Sequence, residues 1–240
     1  MGLIRRTYTF LDETSFRYLF QALVRPNFEY AAAVWSPYTK KEIELIENVQ
    51  RRATKQVPSL KQSSYTDRDR LTKLKMQTLK YHRLRGDMIE TFKIVNGIYD
   101  KDVTERFFEM SRTDQTRGHS KKIQKGNCRQ NLRKHSFKNR VTDIWNDLPQ
   151  ELVHAKTVKS FEILLDKYWE NQEVKYDYNE EIKVKTGSHK KKFILDIDEE
   201  DADIVVERPA TIEDPKVFNK YHKNMQVNNI SKRYIDTVIV

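Results

Sequence analysis

Apolar residues recur every three or four positions along much of the first 170 residues of the chain, and this spacing predicts a mainly α protein. Charged and polar residues lie between them, as expected for amphipathic helices that cover a core. We expect Pro26 to interrupt the first helical segment and Pro37 to end it. The pattern predicts helices over residues 12–38, 39–57, 67–75, 78–96 and 136–148, and a last helix that begins at Thr157.

Three tryptophans offer large apolar surfaces to the predicted core. Trp35, Trp145 and Trp169 each fall on the apolar face of a predicted helix. A large aromatic side chain on such a face typically packs inside the protein. We therefore predict that these residues are core anchors, not platforms on which nucleic-acid bases stack.

The chain changes character twice along its length. We predict a helical domain over residues 1–100, a small basic module of α or mixed structure over 101–172, and a flexible acidic tail over 173–240. The most acidic stretch of this tail, Asp196 to Asp214, holds nine acidic residues and one arginine. Blocks of like charge repel themselves and bury little apolar surface, which favours a solvated tail.

The composition favours a polyanionic partner. Hydrophobic residues make up 38% of the chain and charged residues 33%, and 45 Lys and Arg against 35 Asp and Glu leave a net charge of +10. An excess of this size favours nucleic acid or another acidic surface as the partner. The alternative is that the positive charge only keeps the chain soluble.

Cysteine usage and hydropathy bear on where the protein resides. Cys128 is the only cysteine, which excludes an intramolecular disulfide and a thiolate zinc cage and fits a reducing compartment, the nucleus or the cytoplasm. No apolar run approaches the ~20 residues that a membrane-spanning helix needs. We therefore expect no membrane partner.

The residues that resemble catalytic or metal sites have simpler explanations. Asp67 and Asp69 open a predicted helix, where the helix dipole favours acidic side chains, so we interpret them as capping residues and not as the metal ligands of a polymerase. His119, Cys128 and His135 are spaced nine and seven residues apart, which matches no zinc pattern. We predict no catalytic residue, metal, cofactor or small-molecule substrate.

A basic cluster carries the strongest chemical signal. Between Arg112 and Arg140, ten basic residues accompany a single acidic residue, Asp114. Such a surface can follow a phosphate backbone, and the scarcity of aromatic residues within it favours backbone contacts over base recognition. The alternatives are a solvated face or a nuclear-import signal. Shorter basic patches lie on two predicted helices, at Arg51, Arg52 and Lys55 and at Arg83 and Arg85.

Three blocks of the chain resemble, in the same order, the region that follows the palm in reverse transcriptases of LINE-type, Jockey-like non-LTR retrotransposons. The first is LVRPNFEYAAAVWSPYTKKEIELIENVQRRATK, residues 23–55. The second is SYTDRDRLTKLKMQTLKYHRLRGDMIETFKIVNGIYD, residues 64–100. The third combines TRGHSKK with NLRKHSFKNRVTDIWNDLPQELVHAKTVKSFEILLDKYW, within residues 116–169. The resemblance extends over residues 1–178 and stops before the acidic stretch.

The resemblance implies a thumb-like helical part followed by a C-terminal domain that grips template RNA or target DNA. The catalytic carboxylates of the palm and the zinc module that ends many members of the family have no counterpart here. We therefore expect a catalytically incomplete piece of an RNA-directed DNA polymerase, with RNA or DNA backbone and a separate polymerase chain as partners. The alternatives are a protein-interaction module, whose helices once packed on a palm, and a non-functional transposon remnant.

The basic patches and the resemblance together give a set of predicted nucleic-acid contacts. Its members are Arg51, Arg52, Lys55, Arg83, Arg85, Arg117, Lys121, Lys122, Arg129, Arg133, Lys134, Lys138 and Arg140.

Overall fold

Helices form where the apolar spacing predicts them. The structure, a computed structural model, describes residues 6, 8, 11–62, 64–99, 104, 107–111 and 118–183, and within them the prediction of a mainly α protein is confirmed. The helices are α1 Glu13–Leu19, α2 Pro26–Glu29, α3 Ala32–Trp35, α4 Lys40–Thr54, α5 Asp67–Lys73, α6 Leu79–Val95, α7 Asn131–Lys134, α8 Phe137–Asp147, α9 Gln150–Val153 and α10 Val158–Tyr168.

Short polar side chains begin several of these helices. A side-chain oxygen accepts a hydrogen bond from the backbone N–H three residues later at Asp12, Thr39, Thr66, Thr78 and Thr157. The carboxylate of Asp69 in turn accepts a hydrogen bond from the backbone N–H of Thr66, which completes a capping box at the start of α5. The interpretation of Asp69 as a capping residue is confirmed, and its bonds to Thr66 lower the pKa of its carboxyl. Asp67 instead pairs with Arg51 and Arg70.

The first predicted helix is divided into short pieces. After α1 the chain widens into a π-helical turn, Phe20–Val24, and Pro26 then starts α2, as its missing N–H allows. Ala31 has a φ of 51°, in the left-handed region, and turns the chain into α3. The segment therefore bends twice before α4 begins.

Helix α6 lies at the centre of the described structure. It packs against α2, α3, α4, α8 and α10 and against a 3₁₀ turn at Glu173–Lys175. Because neighbours surround it, α6 buries charged side chains as well as apolar ones, among them Lys80, Arg83 and Asp87. Its partners α8 and α10 belong to the predicted basic module, whereas α4 belongs to the predicted helical domain.

Apolar side chains pack on two sides of α6. One cluster joins α1, α4 and α5 and contains Phe16, Phe20 and Leu60, each fully buried. On the other side, Trp145 of α8 and Phe161 of α10 pack with ring centroids 6.1 Å apart. These clusters are the core that the periodic spacing of apolar residues anticipated.

Two of the three predicted tryptophan anchors are buried. Trp145 is 0% exposed and Trp169 is 1% exposed, which confirms the prediction for both. The prediction is wrong for Trp35, which is 38% exposed. Helix α3 is a single turn that points Ala32 inward, and the indole N–H of Trp35 donates to the carbonyl of Tyr30 at 2.6 Å.

The first residues of the predicted tail pack on α6. Val174 is fully buried, and its carbonyl accepts a hydrogen bond from the hydroxyl of Thr78 at 2.6 Å. The ammonium of Lys80 donates to Glu181 at 2.8 Å. The remaining part of the tail, including the acidic stretch from Asp196, lies outside the described residues.

No helix in the described part of the chain combines the length and hydrophobicity that a membrane crossing requires. Every described residue belongs to one unit of the chain, Met1–Ile194.

Candidate nucleic-acid interface

The basic segment Gly118–Arg140 is attached to the helical core along its first part. Ile123 is 1% exposed, donates its N–H to the amide oxygen of Asn146 at 2.8 Å and accepts the amide N–H₂ of the same side chain at 2.8 Å. An antiparallel bridge joins it to Met110. The indole N–H of Trp145 donates to the carbonyl of Lys121 at 2.8 Å. These bonds fix the backbone of the segment against α8.

Exposed cations concentrate in the second part of this segment. Gly118–Arg140 contains eight basic residues and no acidic one. Arg129, Arg133 and Lys134 are exposed, and within the described residues none of them has an acidic partner. Arg133 and Lys134 lie on α7, whose last turn they make strongly basic.

Other cations of the segment have partners of their own. Lys125 pairs with Asp143 at 2.6 Å, and Lys138 approaches Glu109 at 3.5 Å. Lys121 bonds to the amide oxygen of Asn96, and Lys122 is half-buried. The ion pairs of Lys125 and Lys138 contribute about 0–1 kcal/mol each, so these two cations remain accessible to a competing anion.

Arg140 faces inward, unlike the other cations of the segment. Its guanidinium donates to both carboxylate oxygens of Asp87, at 2.8 Å and 2.9 Å, and Asp87 is only 2% exposed. It also donates to the carbonyls of Ala32, Ala33 and His135, at 3.2, 2.9 and 3.4 Å. Arg140 therefore joins α8 to α6, α3 and the end of α7.

Arg83 is buried as well. It is 3% exposed, and its Nη2 lies 3.9 Å from the carboxylate of Glu47, which is 4% exposed. Glu47 also accepts the backbone N–H of Leu79 at 3.2 Å and of Lys80 at 2.6 Å, so a side chain of α4 caps α6. Burial raises the pKa of the Glu47 carboxyl even though Arg83 opposes the rise.

Arg51 and Arg85 form further pairs with carboxylates that are only partly covered. Arg85 donates to both carboxylate oxygens of Asp166, at 2.6 Å and 2.8 Å. Arg51 donates to Asp67 at 2.5 Å and to the hydroxyl of Tyr178 at 2.8 Å.

The thirteen predicted contacts therefore fall into groups. Arg83 is 3% exposed and the side chain of Arg140 16%, which leaves little surface to contact nucleic acid in this conformation. The side chains of Arg51 and Arg85 are 28% and 23% exposed and donate to carboxylates, so all four are left out of the candidate interface. Arg117 lies outside the described residues.

The structure does not bring all the exposed cations together. Arg52 and Lys55 are exposed at the end of α4, whereas the ring of Tyr38, before the start of α4, stacks on His135 beside α7. Arg52 follows Tyr38 by 14 residues, so a helix of ordinary rise places it roughly 20 Å from Tyr38 along α4.

Lys40 and Lys41, at the first turn of α4, are exposed and follow Tyr38, whose ring stacks on His135 at the end of α7. Neither lysine was among the nucleic-acid contacts predicted from the sequence. The only local signal was the basic pair that follows Tyr38 in YTKK.

A charged cavity lies beside α6. Its volume is about 720 Å³, and Arg25, Glu29, His82, Arg85 and Asp166 are among the residues that line it. The charges largely pair with one another: Arg25 contacts Glu29 at 3.0 Å, and Arg85 contacts Asp166 at 2.6 Å. Burial raises the pKa of Glu29.

His82 should make the protein sensitive to acid. Burial, helped by Arg25 and Arg85, lowers the pKa of its imidazole from 6.5 to about 3 in the folded state. Between pH 6.5 and pH 3 the imidazole binds a proton only in the unfolded chain. The contribution of His82 to the free energy of unfolding is therefore complete above pH 6.5 and is lost as the pH drops towards 3. From pH 7 to pH 5 we expect His82 to cost about 2 kcal/mol of unfolding free energy.

Urea unfolding of the wild type and of His82→Gln at both pH values measures this cost. The variant keeps Glu47 and Asp87, whose raised pKa values act in the opposite direction. Because the imidazole lies 3.4 Å from the carboxylate of Glu29, the difference between the two proteins reports His82 together with that contact. Equal losses of stability in the two proteins would rule out this role of His82.

The residues considered as zinc ligands have other partners. The Nε2 of His119 lies 3.0 Å from the carbonyl of Trp145, and His135 stacks on Tyr38. Cys128 is a free, half-buried thiol. Within the described residues, His, Cys, Asp and Glu form no group of three that could hold a metal ion.

Comparisons of the chain with protein families, with curated proteins and with solved structures find no match. The candidate site therefore rests on its own chemistry: exposed cations on and around α7, fixed to a helical core, with charged networks beneath them.

Proposed function

We propose that this chain binds the phosphate backbone of RNA or DNA through the surface around α7, and that it corresponds to the region that follows the palm in LINE-type reverse transcriptases. The chain supplies no catalytic group in this proposal. Its part is to hold nucleic acid by electrostatic attraction for a polymerase chain that carries the chemistry.

The observation that carries the proposal is the unbalanced charge of Gly118–Arg140. This segment contains eight basic residues and no acidic residue. Three of its exposed members, Arg129, Arg133 and Lys134, have no acidic partner within the described residues. Unpaired cations that bind phosphates release counterions, which favours binding at low salt.

Charge reversal on this surface tests the proposal. We expect Arg129→Glu, Arg133→Glu and Lys134→Glu together to weaken binding to RNA and duplex DNA roughly a hundredfold near 0.1 M salt. The slope of log affinity against log salt should fall by about 3, one for each lost phosphate contact. Fluorescence anisotropy across a salt series measures both quantities, with heparin as a competing polyanion.

A second triple variant controls for net charge. Lys61, Lys156 and Lys159 are exposed and have no acidic partner among the described residues, and they lie outside the basic segment. Reversing all three to Glu changes the net charge by the same amount. The proposal predicts a much smaller loss of affinity in this control. Equal losses in both variants, or a wild type that binds heparin as well as nucleic acid, would show that only the overall charge matters.

A further inference from the structure

Tyr38 and His135 form a stacked pair at the edge of the basic surface. Their ring centroids are 4.5 Å apart and their planes differ by 8°. Tyr38 lies in the loop between α3 and α4, and His135 follows the last residue of α7. Although His135 covers one side of the ring, Tyr38 is 44% exposed. The pair therefore leaves aromatic surface open to solvent.

Four exposed cations flank this pair. Lys40 and Lys41 follow Tyr38 by two and three residues, and Arg133 and Lys134 precede His135 by two and one. None of the four has an acidic partner among the described residues. The nearest acid in the first turn of α4, Glu42, accepts a hydrogen bond from the hydroxyl of Thr39 at 2.7 Å.

Hydrogen bonds from Arg140 connect the two sides of this arrangement. Arg140 donates to the carbonyls of Ala32 and Ala33 on the side of Tyr38 and to the carbonyl of His135 on the other. The buried carboxylate of Asp87 binds the guanidinium of Arg140 and fixes its position. A platform fixed in this way loses little conformational freedom when a ligand stacks on it.

We propose that the Tyr38–His135 pair is a stacking platform for an unpaired base, and that Lys40, Lys41, Arg133 and Lys134 hold the phosphates on either side of that base. This inference rests on the proposed function and narrows its partner to single-stranded nucleic acid. Bases in a duplex are already stacked on one another, whereas a single strand presents their faces to aromatic side chains.

Removing the ring should weaken single-strand binding selectively. We expect Tyr38→Ala to lower affinity for a single strand of about 12 nucleotides by about 5- to 150-fold, the effect of losing one stacked base. The salt slope and the affinity for a duplex of the same length should not change, because the phosphate contacts remain. Tyr38→Phe should bind like the wild type, since it keeps the ring.

Tyr18→Ala provides the matched control. Tyr18 is 60% exposed on α1, and the guanidinium of Arg17 lies 5.1 Å from the centre of its ring. Tyr18 lies outside the basic segment Gly118–Arg140, so its loss should leave binding unchanged. A 2-aminopurine base in the probe reports stacking directly, since stacking quenches its fluorescence, and the quenching should disappear in Tyr38→Ala alone. Circular dichroism verifies that each variant is folded.

Each remaining outcome overturns a different part of the inference. If the wild type binds neither single strand nor duplex, the proposed function and the platform both fail. If the wild type binds and Tyr38→Ala lowers both affinities equally or neither, only the platform fails. If Tyr38→Ala leaves binding unchanged but alters self-association in light scattering, the surface is a protein contact.

Discussion

Replacing Asp87 by alanine should destabilise the protein by about 3–5 kcal/mol, the cost of leaving a buried charge without its partner. Asp87 is 2% exposed and accepts two hydrogen bonds from Arg140, whose side chain is 16% exposed. Arg83, 3% exposed, lies in the same network and its positive charge also faces Asp87. Without the carboxylate, two guanidinium groups remain near each other in a poorly hydrated site.

Asp166→Ala is the matched control for this prediction. Asp166 also binds an arginine through both oxygens, but its side chain is 48% exposed, so the loss should cost no more than about 1 kcal/mol. Urea unfolding of both variants compares the two pairs. A double-mutant cycle of Asp87→Ala with Arg140→Ala then measures the coupling between the partners. Equal costs for the two aspartates would mean that burial adds nothing to the Asp87 pair.

The helices and their starts were predictable because their causes are local. Thr39, Thr78 and Thr157 cap the helices that the spacing of apolar residues placed after them. Trp35 was assigned wrongly because Pro26 and the left-handed Ala31 divide the segment, and a one-turn helix has no continuous face to bury.

The buried charges of α6 could not be predicted from periodicity. The spacing of Tyr81, Met88 and Phe92 identifies one inward face, but it does not say that other elements also cover the opposite face. Arg83 and Asp87 are buried because α4 and α8 supply Glu47 and Arg140. Those partners are 36 and 53 residues away along the chain, so the local sequence does not predict them.

The sequence indicated that the candidate site is basic, but it did not indicate which of the basic side chains are exposed. Clustering identified Arg129, Arg133 and Lys134, which are exposed. Counting charges along the sequence does not separate these from Arg140, which turns inward. The Tyr38–His135 pair joins residues 97 positions apart, and such a pairing follows from tertiary packing alone.

Replacing Trp145 by alanine should cost about 3–5 kcal/mol, the usual effect of removing a large aromatic side chain from a core. Trp145 is fully buried against Phe161, and its indole N–H supplies the hydrogen bond to the carbonyl of Lys121. The variant therefore loses both packing and an attachment of the basic segment to α8. Thermal and urea unfolding measure the loss of stability, and hydrogen exchange at the Ile123 amide reports whether the segment detaches.

Trp35→Ala separates the effect of burial from the effect of deleting an indole. Trp35 is 38% exposed and its ring N–H makes one hydrogen bond to Tyr30, so its removal should cost about 1 kcal/mol. Trp145→Phe should fall between the two, since it keeps most of the packing and loses the bond to Lys121. Faster exchange at Ile123 in Trp145→Ala, with weaker nucleic-acid binding at a temperature where the variant is still folded, would show that the core holds the basic surface in place. Unchanged exchange would show that Asn146, which bonds both backbone groups of Ile123, is sufficient by itself.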